Sequence, residues 1–476
     1  MNAELKVHPS SEFQLVINGQ RVPGAGTFDV INPATERVLA SCPRADRAQL
    51  DQAVAAAKAA FPAWSRRPIA ERRQYLLRIA DALSARIPEF ARLLTQEQGK
   101  PLAHAAGELG GAAHMIRAFA AMELPIRVLK ETDKVRIVQQ RVPLGVVAAI
   151  TPWNFPMILL MLKVAPALLA GNTVVAKPAP TTPLTTLLFG ELCAEILPPG
   201  VLNVITDQND LGGILTSHPD VAKVAFTGST ATGRKVMASV ASTLKRLTLE
   251  LGGNDAAIVL DDVNPKEVAP ALFAGAMVNS GQTCLAIKRL YVPDAMYDSI
   301  CAELAKLADA AVVDDGLKEG TQFGPIQNKT QFEKVKGFLD DARANGKIIA
   351  GGKAGGRAGY FISPTIVRDI PDDARLVREE QFGPVLPVLK YSDLEDAITR
   401  ANDTEYGLGA TVWSSNVQRA YEVALRLDSG TVWVNKHLDL PADVPFTGAK
   451  QSGIGAEMGH EGLEEFTQAK IINMAI

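Results

Sequence analysis

Four places in this 476-residue chain put chemically able side chains where a short apolar run breaks into polar and Gly-bearing residues. They are TPWNFP (151–156), FTGSTATG (226–233), LELGGN (249–254) and GQTC (281–284). The last holds Cys284, one of four cysteines, led in by Asn279, Ser280, Gly281 and Gln282. A structural cysteine is usually a small apolar residue in an apolar run. Behind a polar turn, a thiol has a second reading as a nucleophile. Glu250 closes an apolar run beside Gly252 and Gly253, where a surface carboxylate or a general base would both fit. Asn154, followed by Phe155 and Pro156, reads as a helix N-cap with Pro in the first turn. Its amide is also a donor suited to developing negative charge. Gly228, Ser229 and Gly233 open a helix, where backbone N–H groups and the helix dipole suit a pyrophosphate. The plainer reading of that stretch is a strand-to-helix loop.

Such residues need elements that bring them together. Asn18-Gly19 within QLVINGQRV predicts a hairpin. From Asp46 to Gly99, Ala-, Leu- and Arg-rich segments carry helical periodicity. After residue 143 short strands (GVVAAIT, NTVVAKP, VLNVIT, AKVAFTG) alternate with helices over about 156–170, 183–197, 208–217 and 230–241. That alternation predicts a parallel sheet with right-handed crossovers. RLTLELGG closes the series. A second α/β series follows with DAAIVLDD, KRLYVPD, GYFISPTIV and GPVLPVLKY. Ligands in such sheets lie beyond the carboxyl ends of the strands, so the four breaks are expected to line one crevice.

With TPWNFP, FTGSTATG, LELGGN and NSGQTC stand VVAKPAP, EEQFGPV and KQSGIG. In this order, over nearly the whole chain, the set resembles the signature of the NAD(P)-dependent aldehyde dehydrogenase superfamily. The resemblance implies an α/β fold of two Rossmann-type parallel-sheet lobes plus a small β oligomerisation element. It places a dinucleotide-binding domain at 1–122 and 144–252 and a catalytic domain at 253–451. The oligomerisation element is placed at 123–143 and 452–476, in a homodimer or homotetramer. It implies that Cys284 attacks an aldehyde and that the thiohemiacetal expels hydride to leave a thioester. Glu250 would activate the hydrolytic water, and Asn154 with the Cys284 N–H would hold the oxyanion. Lys163 and Glu457 would lie by the water path, where the plainer readings are a snorkelling lysine and a surface carboxylate. The cofactor would meet Thr151, Pro152, Trp153, Lys177, Gly228, Ser229, Gly233, Gly252, Glu380 and Phe382.

The chain departs from the family pattern at two points near the adenosine. Pro180 stands where many NAD-preferring members carry Glu, which opens the way to NADP. Asp207 and Asn209 stand where the family often has glycines, and Asp207 is expected to restore a carboxylate near the ribose. NAD is the expected cofactor, with NADP possible. By carry-over, Phe155, Leu159, Leu162, Val278, Thr283, Leu285, Leu438, Leu440 and Phe446 line the aldehyde tunnel. The set suits an apolar aliphatic or aromatic aldehyde. Lys436 and His437 leave a polar or acidic semialdehyde as the alternative. A CoA-acylating dehydrogenase is opposed by Glu250, and a non-catalytic binding protein by the intact Cys284, Glu250 and Asn154.

Composition sets the remaining bounds. An apolar fraction of 47%, a charged fraction of 21% and a net charge of −3 suit a large-cored globular protein and give no basic face for nucleic acid. The cysteines lack CxxC spacing and the six histidines never form HExxH, so no metal site is expected. The opening stretch has no apolar leader run. The most apolar segment, Met157–Gly171, is short and carries Lys163 and Pro166, so a buried helix is expected rather than a membrane span. A reducing, cytoplasmic setting is expected.

Overall fold

The computed structural model describes residues 13–476. The first twelve residues, assigned above to the first lobe and searched for a leader, lie outside the described residues. The β-branched runs after residue 143 form strands whose residues are nearly all buried on both faces, as a sheet covered by helices requires. Five parallel strands lie in the spatial order Leu202–Val204, Thr173–Lys177, Val146–Ile150, Val221–Thr227, Arg246–Glu250. The first of these in the chain, Val146–Ile150, sits between the second and the fourth. The strand order therefore reverses there, and the crevice opens at the carboxyl ends of Val146–Ile150 and Val221–Thr227. The predicted hairpin, Leu15–Ile17 with Gln20–Val22, extends one edge; Asn18 (φ 54) and Gly19 (φ 72) make its left-handed turn. Gly453–Ile454 pairs antiparallel on Arg246–Glu250 at the other edge.

The helical periodicity between Asp46 and Gly99 resolves into Arg47–Ser65, Ile69–Ala85 and Ile87–Gln98. Asp46 and Gln49 form a capping box at the first, and Gly99 ends the third at φ 100. The second lobe is a seven-stranded sheet, parallel except for Lys347–Ala350 at one edge. It contains three strands the sequence patterns did not mark, Lys347–Ala350, Gly409–Trp413 and Thr431–Val434. The helix expected over 208–217 starts only at Gly212, because the Asp207 carboxylate accepts the Leu211 N–H at 2.8 Å and holds the preceding turn open.

Arg127–Glu131, Val135–Pro143 and Thr467–Ala475 form a separate antiparallel sheet, so the C-terminal strand pairs with the hairpin of its own chain. Val128, Leu129, Ile471 and Ile472 remain exposed on it. No helix among the described residues is long and apolar enough to cross a membrane.

The helix Pro156–Ala170 is nearly all buried, and its start is where the two lobes meet. Its cap is Phe155, with no side-chain hydrogen bond. The Glu108 carboxylate, from helix Leu102–Ala120, instead accepts the N–H groups of Met157 (2.9 Å) and Ile158 (3.3 Å). Lys100 pairs with Glu108; both side chains are 1% exposed. Removing one partner of such a pair leaves a bare buried charge. Glu108→Ala is expected to lower stability in urea unfolding by about 3–5 kcal/mol. The double replacement Lys100→Met with Glu108→Leu should recover more than half of that loss. A loss under about 1 kcal/mol in the single variant would show that the pair does not hold the helix.

Candidate active site

Asn154 lies just past the strand Val146–Ile150. Its side chain does not cap the following helix, contrary to the N-cap reading, because Glu108 already occupies those N–H groups. The Asn154 amide instead donates to the Gln282 carbonyl at 3.0 Å, across to the cysteine loop. In return Asn279 Nδ2 donates to the Asn154 carbonyl at 3.1 Å, and Lys100 Nζ donates to that same oxygen at 2.9 Å. Lys100 also sits 3.9 Å from the centre of the Phe155 ring.

The cysteine loop is built on a run of left-handed backbone. Asn279 (φ 51), Ser280 (φ 55) and Gly281 (φ 70) are all in that region. Non-glycine residues there cost of order 1–3 kcal/mol each, so something must over-determine the turn. Ser280 donates to Gly324 O (2.8 Å), Gln282 Nε2 donates to Asn279 O (2.9 Å), and Gln282 Oε1 accepts the Gln327 N–H (2.8 Å). A Cβ on Gly281 would collide with the Gly383 carbonyl. The polar stretch NSGQ is thus a turn pinned by its own side chains, and Cys284 emerges from it half-buried. The other three cysteines are buried. Burial pushes the Cys284 thiol up to about 12; Lys288 pulls it down, and Asp255, Glu380 and Glu250 oppose that pull.

Glu250 ends its strand 4% exposed, and neither of its carboxyl oxygens has a hydrogen-bond partner. Desolvation raises its pKa well above the ordinary carboxylate range; Glu457 adds to the rise and Lys163 opposes it. Lys163 and Glu457 are neither a snorkelling lysine nor a surface carboxylate. They form a buried ion pair at 2.5 Å, with Lys163 also donating to Thr227 at 2.6 Å.

Cys284 and Asn154 line an open cleft of about 460 Å³; Glu250, Lys163 and Glu457 do not line it, although Thr227, Leu251 and Gly252 beside them do. Thr151, Pro152, Trp153, Asn154, Leu159, Lys177, Pro180, Gly228, Ser229, Gly252, Cys284, Glu380 and Phe382 all line it. Trp153 and Phe382 meet edge to face at 5.3 Å. Glu380 accepts the Gly253 N–H at 3.0 Å, and a Cβ on Gly252 would strike its carboxylate. A second chamber of about 420 Å³ shares Ile150, Lys177, Asn209, Phe226 and Thr232 with the first. An elongated cleft with an aromatic pair, a carboxylate and a helix start fits a dinucleotide. Asn328, Thr330, Gln331 and Lys334 line the opposite wall; nothing in the sequence marked them.

Three cofactor readings change. Gly233 does not line the cleft: a Cβ there would strike Leu251, so this glycine lets the helix Thr230–Val240 pack on the chain beneath it. The Gly228 N–H is held by the Glu250 carbonyl at 3.0 Å and is not open to a phosphate. Asp207 is wholly buried, with one oxygen 2.5 Å from Lys177 Nζ and the other on Leu211, so it offers no free acceptor to a ribose.

The sequence profile of the aldehyde dehydrogenase family matches residues 22–472. The chain belongs to that family. It is 40% identical over 471 residues to a mitochondrial aldehyde dehydrogenase of Leishmania tarentolae, covering 97% of this chain and 95% of that one. It is 40% identical over 483 residues to a phenylacetaldehyde dehydrogenase of Pseudomonas fluorescens, covering 97% and 96%. The solved NAD+ complex of a Bacillus cereus aldehyde dehydrogenase superposes with a TM-score of 0.97 at 35% identity, covering 100% of this chain and 99% of that one.

Of the nine residues carried over to the tunnel of this aldehyde dehydrogenase, only Leu159 lines the cleft. Leu162, Leu285 and Phe446 are buried in the apolar cluster against which Cys284, Leu159 and Leu438 pack. Phe155 stacks under Lys100, and Thr283 donates to the Val278 carbonyl at 3.3 Å. Leu440 is at the surface.

The bare Glu250 carboxyl has a consequence for stability. Its folded pKa is raised, so the unfolded chain, with its carboxyl near 4.3, gives up its proton first as pH rises. The folded state therefore loses relative stability from that pH up to the raised folded value. Glu250→Gln lacks this penalty, and its Tm advantage over the wild type is expected to grow between about pH 5 and pH 8. A difference independent of pH would show that Glu250 is not held as a bare buried acid.

Proposed function

We propose that this aldehyde dehydrogenase oxidises an apolar aldehyde to its carboxylic acid through a covalent thioester on Cys284. The observation that carries the reading is the cleft end itself. A half-buried thiol on a pinned turn and an inward amide line it together, and Leu251 and Gly252, which follow the partnerless buried carboxyl of Glu250, line it too. The thiolate of Cys284 adds to the aldehyde carbon, and the carbonyl electron pair moves to oxygen. The oxyanion is met by the Cys284 N–H and by the second N–H of the Asn154 amide, whose first is on Gln282. Bound in the cleft, the nicotinamide supplies the hydride acceptor. As the tetrahedral centre collapses, the carbonyl re-forms as a thioester. Glu250 then takes a proton from water, water attacks the acyl carbon, and the C–S bond breaks to return the thiolate. A carboxyl with a raised pKa is the stronger base once it has released its own proton, and Lys163, paired with Glu457, favours that ionised form.

An apolar substrate is favoured over an acidic one because neither cation near the tunnel is available. Lys436 pairs with Asp439 at 2.5 Å on the surface, and burial holds His437 down to about 4, hence neutral. The exposed apolar strips on the small sheet support a homo-oligomer.

Single-turnover kinetics with hexanal or benzaldehyde test the chemistry. Cys284→Ser should form no NADH while still binding NAD, and Glu250→Gln should give a burst followed by a slow steady rate. Burst and steady rate falling together in Glu250→Gln would contradict the assigned role.

The Lys177–Asp207 pair supports NAD over NADP. Pro180 adds no repulsion, but Asp207 neutralises the one buried lysine that lines the adenosine end. Asp207→Asn should shift equilibrium binding toward NADP by roughly tenfold, as a freed charged donor is worth about 1.5 kcal/mol. An unchanged ratio of Kd values for the two cofactors would assign the preference elsewhere.

A further inference from the structure

Lys288 is a buried cation that the mechanism above does not use. It lies in the strand Ile287–Pro293, 1% exposed, directly behind the nucleophile. Its ammonium donates to the Thr283 carbonyl at 2.9 Å and to the Cys284 carbonyl at 2.6 Å, with Ala286 O at 3.4 Å. Glu380 lies 3.9 Å away. A buried lysine must find acceptors, and any carbonyls would serve that need. These two belong to the nucleophile and to the residue before it. The Thr283 carbonyl and the Cys284 N–H are opposite ends of one peptide unit. A cation on that oxygen polarises the unit and leaves the N–H a stronger donor.

We propose that Lys288 is a positioning residue whose charge, acting through the Thr283 carbonyl, strengthens the Cys284 N–H toward the oxyanion and favours negative charge on the sulfur. Asp255, Glu380 and Glu250 disfavour negative charge on that sulfur, and Lys288 favours it. The inference rests on Cys284 being the nucleophile. Cys284→Ser separates the two: if that variant keeps its activity, the function reading fails whatever Lys288 does.

The test compares Lys288→Met, Lys288→Gln and Lys288→Arg with the wild type, each as the full chain. Gln keeps N–H donors without charge, and Arg keeps charge. Three quantities are read: the pH midpoint of Cys284 alkylation by iodoacetamide, with Cys284→Ser as blank; the NADH burst rate; and Kd for NAD. In both neutral variants the alkylation midpoint should rise by about one pH unit and the burst should slow by about tenfold or more. Kd for NAD should stay within about twofold, and Arg should restore both readouts substantially. The proposal is overturned if the midpoint and burst of the neutral variants match the wild type, or if Gln restores them as well as Arg does. It is also overturned if both neutral variants lose NAD binding and cooperative unfolding while Arg keeps them, since Lys288 is then a structural clamp.

Discussion

The site depends on a reciprocal set of hydrogen bonds between the lobes. The Asn154 side chain donates to Gln282, and Asn279 donates back to the Asn154 carbonyl, which Lys100 also holds. Asn154 belongs to a strand end of the first sheet; Asn279 and Gln282 belong to a turn of the second lobe. Without this junction the carboxyl ends of one sheet would face a strained loop with no fixed register. With it, the left-handed run at 279–281 is held from both sides, and Cys284 has one place to be. The apolar cluster beneath crosses the same boundary, mixing Leu285, Leu408 and Trp433 with Met157 and Leu160. The junction is therefore polar where chemistry needs donors and apolar where it needs exclusion of water.

Around this junction the charges are buried and mostly paired. Lys100 has Glu108, Lys163 has Glu457, and Lys177 has Asp207. Each pair is costly to assemble and costlier to break, so each fixes a local geometry. Glu250 is not paired: like Asp255, it is a buried carboxyl with two unpartnered oxygens. A bare buried acceptor destabilises the fold unless something else uses it. A carboxyl that must bind and release a proton beside a reacting carbon is such a use.

Much of this was legible in the chain because it is local. Strand ends show as apolar runs breaking at TPWNFP, FTGSTATG and LELGGN, and the buried helix shows in MILLMLKVAPALLAG. What was not legible depends on distant partners. The pattern Asn-Phe-Pro invites an N-cap, yet Glu108, from another helix, already holds those N–H groups. Gly233 looks like a phosphate-loop glycine, yet its missing Cβ is required by Leu251. Asp207 looks like a ribose acceptor until Lys177 is seen to occupy it. Gly409–Trp413 escaped notice because a five-residue run with Gly and Ala carries little strand signal.

The central claim is that the acyl group passes through the Cys284 sulfur. Glu250→Gln, mixed with NAD and benzaldehyde and quenched in acid within the burst, should carry a covalent adduct by intact mass. The added mass should equal the aldehyde less a hydride and a proton, and peptide mapping should place it on Cys284. NADH formed in the burst with no adduct, or with the adduct on another residue, would contradict the account.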